Sequence, residues 1–169
     1  MKHSFLTCIF ILLSTIIFAQ NDTADVTKIK AVIKHQETAW NKHDWESSVI
    51  DNTDDATLIN FIGELWNNKD DILSHFKQLN DCCLSRTSLK LEVKNIRFLT
   101  LGIALVYVEE TIVADKDYDT PFHNYKKGDT DYKMATDVFV KQNNEWKVTA
   151  TQLTLINQTI SPHNASENH

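Results

Sequence analysis

The sequence predicts an α+β fold, with helices on one face of a bent antiparallel sheet, and three observations carry that expectation. Apolar residues recur at three- and four-residue steps in the first half of the chain. From Leu89 onward the step changes to two. One short strand lies among the helices, and the long strands then follow one another without a helix between them.

The chain opens on Met1-Lys2-His3, followed by an apolar run from Phe5 to Phe18, then Ala19 and the polar stretch Gln20 to Thr23. A basic start, an apolar run and a small residue is the layout of a secretory signal peptide over 1–19. The run is shorter than the roughly 20 residues a membrane span needs. Cleavage before Gln20 is expected, which would make the mature protein secreted or periplasmic; an uncleaved anchor is the alternative.

Val26, Ile29, Ile33, Glu37 and Trp40 then form one stripe, predicting a helix over about 24–42 with Asp22 and Asp25 near its positive end. Asp44 reads as the N-cap of a short second helix. A strand is expected from Ala56 to Ile62, turning at Gly63. Asn68 reads as the cap of a third helix with inner face Ile72, Phe76 and Leu79, and His75 is expected on that same face.

Leu89, Leu91 and Val93 alternate with Lys90, Glu92 and Lys94, after which the apolar parity moves to Ile96 and Phe98. That switch predicts a bulge near Asn95. Ile103 to Val108 is apolar on both faces, as in a central strand. Segments 131–141 and 145–156 read as a hairpin around Gln142-Asn143-Asn144. A long polar connection spans 115–130 and holds Tyr118, Phe122 and Tyr125, and the tail over 159–169 reads as disordered. The folded domain is therefore expected over 24–158.

Composition narrows the function. Seventeen Lys and Arg against 23 Asp and Glu give a net charge of −6, which argues against sequence-blind binding to nucleic acid or anionic lipid. Three glycines cannot build a Gly-rich phosphate cradle. Cys82 and Cys83 read first as two buried or half-buried thiols, with a vicinal or intermolecular disulfide as the alternative. They lack the second Cys or His pair of a zinc site, so no metal is expected. Asp115, Asp117 and Asp119 lack the glycine and the bidentate glutamate of a calcium loop. No dinucleotide fingerprint or haem motif occurs, and no cofactor is expected. Nucleophilic catalysis has no supporting motif either, since there is no Gly-x-Ser-x-Gly elbow.

Ala39-Trp40-Asn41 with Asp44, Asp55-Ala56 with Asn60, Gly63 and Trp66, and Ile72 with His75 occur in one order with Arg97-Phe98-Leu99 and Ala104-Leu105-Val106. Ala135-Thr136-Asp137-Val138, Glu145-Trp146-Lys147-Val148 and Gln152 complete the pattern. Over about 26–157 this resembles the nuclear-transport-factor-2-like superfamily, and within it the SnoaL-like domain of unknown function, including SgcJ/EcaC-type proteins. The resemblance implies a cone-shaped sheet curled around the long N-terminal helix and enclosing one pocket, as in ketosteroid isomerase-like proteins. It also implies a homodimer formed through the outer sheet face.

The residues themselves suggest who lines that pocket. Trp40 would close it from the long helix, or serve as core packing. Asn60 interrupts an apolar strand, as a pocket amide or as a clamp on a neighbouring loop. His75 is a proton-shuttle candidate, or a core-edge histidine satisfied by a backbone carbonyl. Tyr107 follows Leu105 on a central strand. Gln152 continues the face of Trp146, Val148 and Ala150, or has already reached solvent. The expected binding set is Trp40, Asn60, His75, Tyr107 and Gln152, and the candidate catalytic groups are His75, Glu109 and Asp137. Parity does not separate Glu109 from Glu110, or Thr136 from Asp137. One inward carboxylate in an apolar cone would have a raised pKa and could act as a general base. The sequence thus reads as a secreted binder of a small apolar or mixed-polarity molecule, with isomerisation, dehydration or cyclisation by proton transfer as its chemistry. A non-catalytic dimerisation or interaction module with a vestigial pocket is the rival reading.

Overall fold

The computed structural model describes residues 23–121 and 123–157. The expected signal segment at 1–19, the tail at 159–169 and Phe122 lie outside the described residues. Among the described residues no helix is long and apolar enough to cross a membrane.

Helix α1 covers 23–41. It is followed by α2 (Trp45–Ser48), capped by the Asp44 carboxylate accepting from Ser47 N at 3.0 Å. Strand β1 (Asn52–Ile59) and the short β2 (Leu65–Trp66) precede α3 (Lys69–Asn80), whose cap is Asn68 accepting from Asp71 N at 2.9 Å. A 3₁₀ turn at Leu84–Arg86 leads into the long strands β3 (Thr87–Thr100) and β4 (Ile103–Ala114). Within the polar connection, β5 (Tyr118–Asp119) and β6 (Asn124–Tyr125) make a small hairpin with Tyr118 stacked on Tyr125. Strands β7 (Thr130–Gln142) and β8 (Glu145–Leu155) close the chain through a turn in which Asn143 and Asn144 both have positive φ.

The main sheet has the order β2-β1-β8-β7-β4-β3 and is antiparallel except where β1 lies parallel to β8. Its inner face is set by alternation: Ala104, Val106 and Val108 on β4, and Ala135 and Phe139 on β7, are buried against Ile29 and Ile33 of α1. A second cluster joins Val49, Ala56, Leu58, Trp66 and Ile72, and Leu153 of β8 packs against both.

What curls the sheet around α1 is visible at its free edge. The Asn41 amide donates to Leu89 O at 2.7 Å and accepts from Leu89 N at 2.7 Å. Two residues along β3, Leu91 N donates to the Glu37 carboxylate at 2.8 Å. These side chains supply partners that a neighbouring strand would otherwise give, so α1 closes the β3 edge. The expected bulge is present, with the β3–β4 register shifting between Val93 and Asn95. Cys82 and Cys83 are joined to each other by a disulfide just after α3, which corrects the expectation of two thiols.

Candidate active site

Helices α1, α2 and α3 and the inner sheet face enclose a cavity of about 90 Å³. Its apolar wall includes Ile33, Val49, Leu58, Ile72, Phe76 and Val108, with Trp40 held edge-on against Trp45 and Phe76. Two carboxyl groups reach it from the sheet, Glu110 of β4 and Asp137 of β7. Their placement follows from strand parity. Glu110 continues the buried series Ala104, Val106, Val108, while Asp137 lies between buried Ala135 and Phe139.

Asp137 is 6% exposed and makes one short contact, accepting from the Thr151 hydroxyl at 2.7 Å. Among the described residues no cation lies within ion-pairing distance of it. Burial pushes its pKa from 3.8 up to about 7; the Thr151 hydrogen bond opposes the rise, and the nearby Glu110 carboxyl adds to it. Burial likewise raises Glu110, against the pull of Lys133 across the β4–β7 pair. Two buried polar atoms of the lining, Trp40 Nε1 and Asn52 Oδ1, have no hydrogen-bond partner among the described residues. The cavity therefore offers one unpaired donor, one unpaired acceptor and two carboxyl groups within a largely apolar wall that also holds Gln36 and Ser48. Buried polar groups are normally paired, so unpaired ones around a cavity are places for a ligand's own polar atoms.

Of the five residues expected to line the pocket, only Trp40 does. Asn60 is the loop clamp: its Oδ1 accepts from Ile62 N and Glu64 N at 3.1 and 3.0 Å, and its Nδ2 donates to Glu64 at 2.8 Å. His75 stacks on the Trp66 ring at 4.4 Å, within 3.6 Å of the Asp71 carboxylate, and is half-exposed outside the cavity. Tyr107 alternates with buried Val106 and Val108 and so lies on the outer sheet face. Gln152 pairs with Thr136 on that same outer face and is exposed. The cause is a bulge at Thr149: Val138 faces Ala150 but Phe139 faces Val148. The extra residue turns Thr151 and Leu153 inward and Gln152 outward. Glu109, the neighbour of Glu110, also points outward, with its carboxylate 3.4 Å from the Lys94 ammonium. Asp137 alone of the candidate catalytic groups reaches the cavity.

No protein-family model and no curated protein matches the chain. Solved structures do. A protein with a cystatin-like fold from Caulobacter vibrioides superposes with a TM-score of 0.70 at 20% identity, over 82% of this chain and 94% of that one. A nuclear-transport-factor-2-like protein of unknown function from Shewanella oneidensis gives 0.62 at 22% identity, over 77% and 98%. A ketosteroid isomerase-like protein from Erwinia carotovora atroseptica gives 0.60 at 15% identity, over 78% and 95%. The fold is the nuclear-transport-factor-2-like cone. Identities this low speak to the fold and leave the chemistry to the site.

Proposed function

We propose that this protein is a SnoaL-like enzyme that moves a proton on a small, largely apolar substrate, in an isomerisation, dehydration or cyclisation, with Asp137 as the general base and acid. The observation that carries the reading is a buried carboxyl group, unpaired by any cation among the described residues and titrating near neutrality, at the wall of a largely apolar cavity. Such a group takes a proton from carbon or hydroxyl and returns it at a neighbouring atom, because neither protonation state is strongly favoured at pH 7. Trp40 Nε1 would donate to the substrate's oxygen and Asn52 Oδ1 would accept from a substrate hydroxyl, while Glu110 supplies a second carboxyl. The ketosteroid isomerase-like neighbour supports the same chemistry by analogy of fold.

A cavity of about 90 Å³ is well below the roughly 300–1,000 Å³ of sites that take drug-sized ligands. The substrate is accordingly small, on the scale of a single ring or short enone. That small volume is also what favours the rival reading, a non-catalytic module. Proton exchange decides between them. The protein, incubated in D₂O with a panel of small cyclic ketones and enones, should wash deuterium into the α-carbon of a substrate it accepts. Asp137→Asn should slow that exchange by about 10²–10⁴. Exchange unaffected by the substitution would sink the proposal.

We further propose export after removal of residues 1–19 and a two-fold dimer through the outer sheet face. Half-buried Leu105, Tyr107 and Val138 there make an apolar surface that suits a second copy. N-terminal sequencing that finds Met1 on exported protein, or a monomeric mass by light scattering, would count against each in turn.

A further inference from the structure

A second constellation lies outside the cavity, among residues that no sequence motif links. His35 of α1 stands between Ser47 of α2 and Asp51 in the turn before β1. Its Nδ1 is 2.6 Å from Asp51 Oδ2, and its Nε2 is 3.1 Å from Ser47 Oγ. These two contacts fix the tautomer of the neutral ring. A carboxylate only accepts, so Nδ1 carries the proton and Nε2 is left with a lone pair, to which the Ser47 hydroxyl donates. A hydroxyl aimed at a basic imidazole nitrogen whose other nitrogen is anchored by a carboxylate is the arrangement that activates a serine nucleophile.

A groove of about 710 Å³ runs up to this trio. Asp51 belongs to both, and Lys28, Ala31 and Val32 of the groove share a helix face with His35 at steps of three, four and seven residues. Ile50, which is 55% exposed, also lines the groove. Ala31, Val32, Ile50 and Trp146 share the lining with polar Asn143, Asn144, Glu145 and Lys147, so the groove is of mixed polarity.

We infer that Ser47, His35 and Asp51 form a serine acyl-transfer site, distinct from the Asp137 cavity, that takes carboxylic esters. Ser47 Oγ attacks the ester carbonyl as its proton passes to His35 Nε2. The tetrahedral intermediate then breaks its bond to the alkoxide, which takes the proton from His35 and departs as the alcohol. Water, losing a proton to His35, attacks the acyl-serine; the acid leaves and Ser47 Oγ recovers the proton. Asp51 is a positioning residue, which holds the ring in the required tautomer. The absence of a Gly-x-Ser-x-Gly elbow led the sequence to suggest no nucleophile, but these three residues come from three separate local structures.

The test uses the full-length chain and an alkyl fluorophosphonate, which loses fluoride as Ser47 Oγ bonds to phosphorus. Peptide mapping should find the label on Ser47. His35→Gln should lower the labelling rate by about 10²-fold or more, with the melting temperature measured alongside to confirm folding. Asp51→Asn should likewise slow labelling, and should move the His35 proton from Nδ1 as read by imidazole ¹⁵N shifts, which a purely structural contact would not couple to labelling. Wild-type protein left unlabelled at Ser47, or labelling equally fast in folded His35→Gln, would overturn the inference.

Discussion

The Thr151 hydroxyl donates to the Asp137 carboxylate at 2.7 Å, between two residues directly opposite one another on β8 and β7. This bond opposes the burial that lifts the acid toward neutrality. Thr151→Val keeps the shape and removes the donor. The Asp137 titration should then move above about 7, and any activity limb that depends on its ionised form should move to higher pH with it. Carbon-13 NMR of the carboxyl through a pH titration measures the midpoint directly; an unchanged midpoint would contradict the argument.

Stability should carry the same signature. The folded pKa of Asp137 is raised from 3.8 to about 7, so the folded state holds the proton more tightly than the unfolded chain. Its contribution to stability is therefore greatest below about pH 4, declines as pH rises toward 7, and is flat above that. The full difference corresponds to roughly 4 kcal/mol as an upper bound. Asp137→Asn should be more stable than the wild type at pH 8 and lose that advantage near pH 4. Urea unfolding at the two pH values tests this, with a parallel shift at both as the contrary result.

At the start of α1, Lys141 Nζ contacts both oxygens of the buried Asp25 carboxylate at 2.8 and 2.9 Å. Burial would raise Asp25, but the hydrogen bonds and charge of Lys141 outweigh it and hold the acid below its usual value. Lys141→Met should cost about 1–3 kcal/mol by leaving the carboxylate without its cation. The penalty should fall as pH drops and the orphaned acid is protonated, which thermal unfolding at pH 7 and pH 3 would reveal.

Asn60 gives the opposite kind of expectation. Its side chain satisfies two backbone donors of the 61–64 turn, so Asn60→Ala should lower stability by about 1–3 kcal/mol. Because it does not line the cavity, proton exchange by the folded variant should stay within a factor of two of the wild type. A large loss of exchange at full stability would return Asn60 to the pocket.

Much of the architecture was legible because the apolar period is strong where the core is large. Helix α1, both caps and the register shift at Asn95 each had a local signal, and Val93 against Ile96 announced that shift plainly. The bulge at Thr149 carried the same signal, with Trp146 and Val148 on one parity and Leu153 and Leu155 on the other. Ala150 has too little apolar weight to show where the change falls, so spacing alone carries Gln152 inward and gives no sign of Thr151. Glu110 was within reach too, two residues beyond Val108 on the buried parity of β4. His75 was misplaced for a different reason: it sits at the margin of the α3 inner face, where a flat ring can cover Trp66 from outside. The unpaired atoms of Trp40 and Asn52, and the meeting of His35 with Ser47 and Asp51, depend on tertiary packing and have no signature in spacing.

The parallel pairing of β1 with β8 has a temporal consequence. Leu58 meets Trp66 of β2 on one side and Thr151 of β8 on the other, so the second edge of a strand near the beginning of the domain waits for nearly the whole chain before it is paired. The Asp25–Lys141 clamp, 116 residues apart, waits equally long. Pairings this distant in sequence form late, since loop closure precedes any return from contact. A nascent chain that has not yet released Leu155 exposes one edge of β1 and one edge of β7, and stays in a form that chaperones and proteases recognise. The last strand thus acts as the fold's timing element, and a chain shortened before Glu145 is expected to be degraded rather than to persist as a smaller domain.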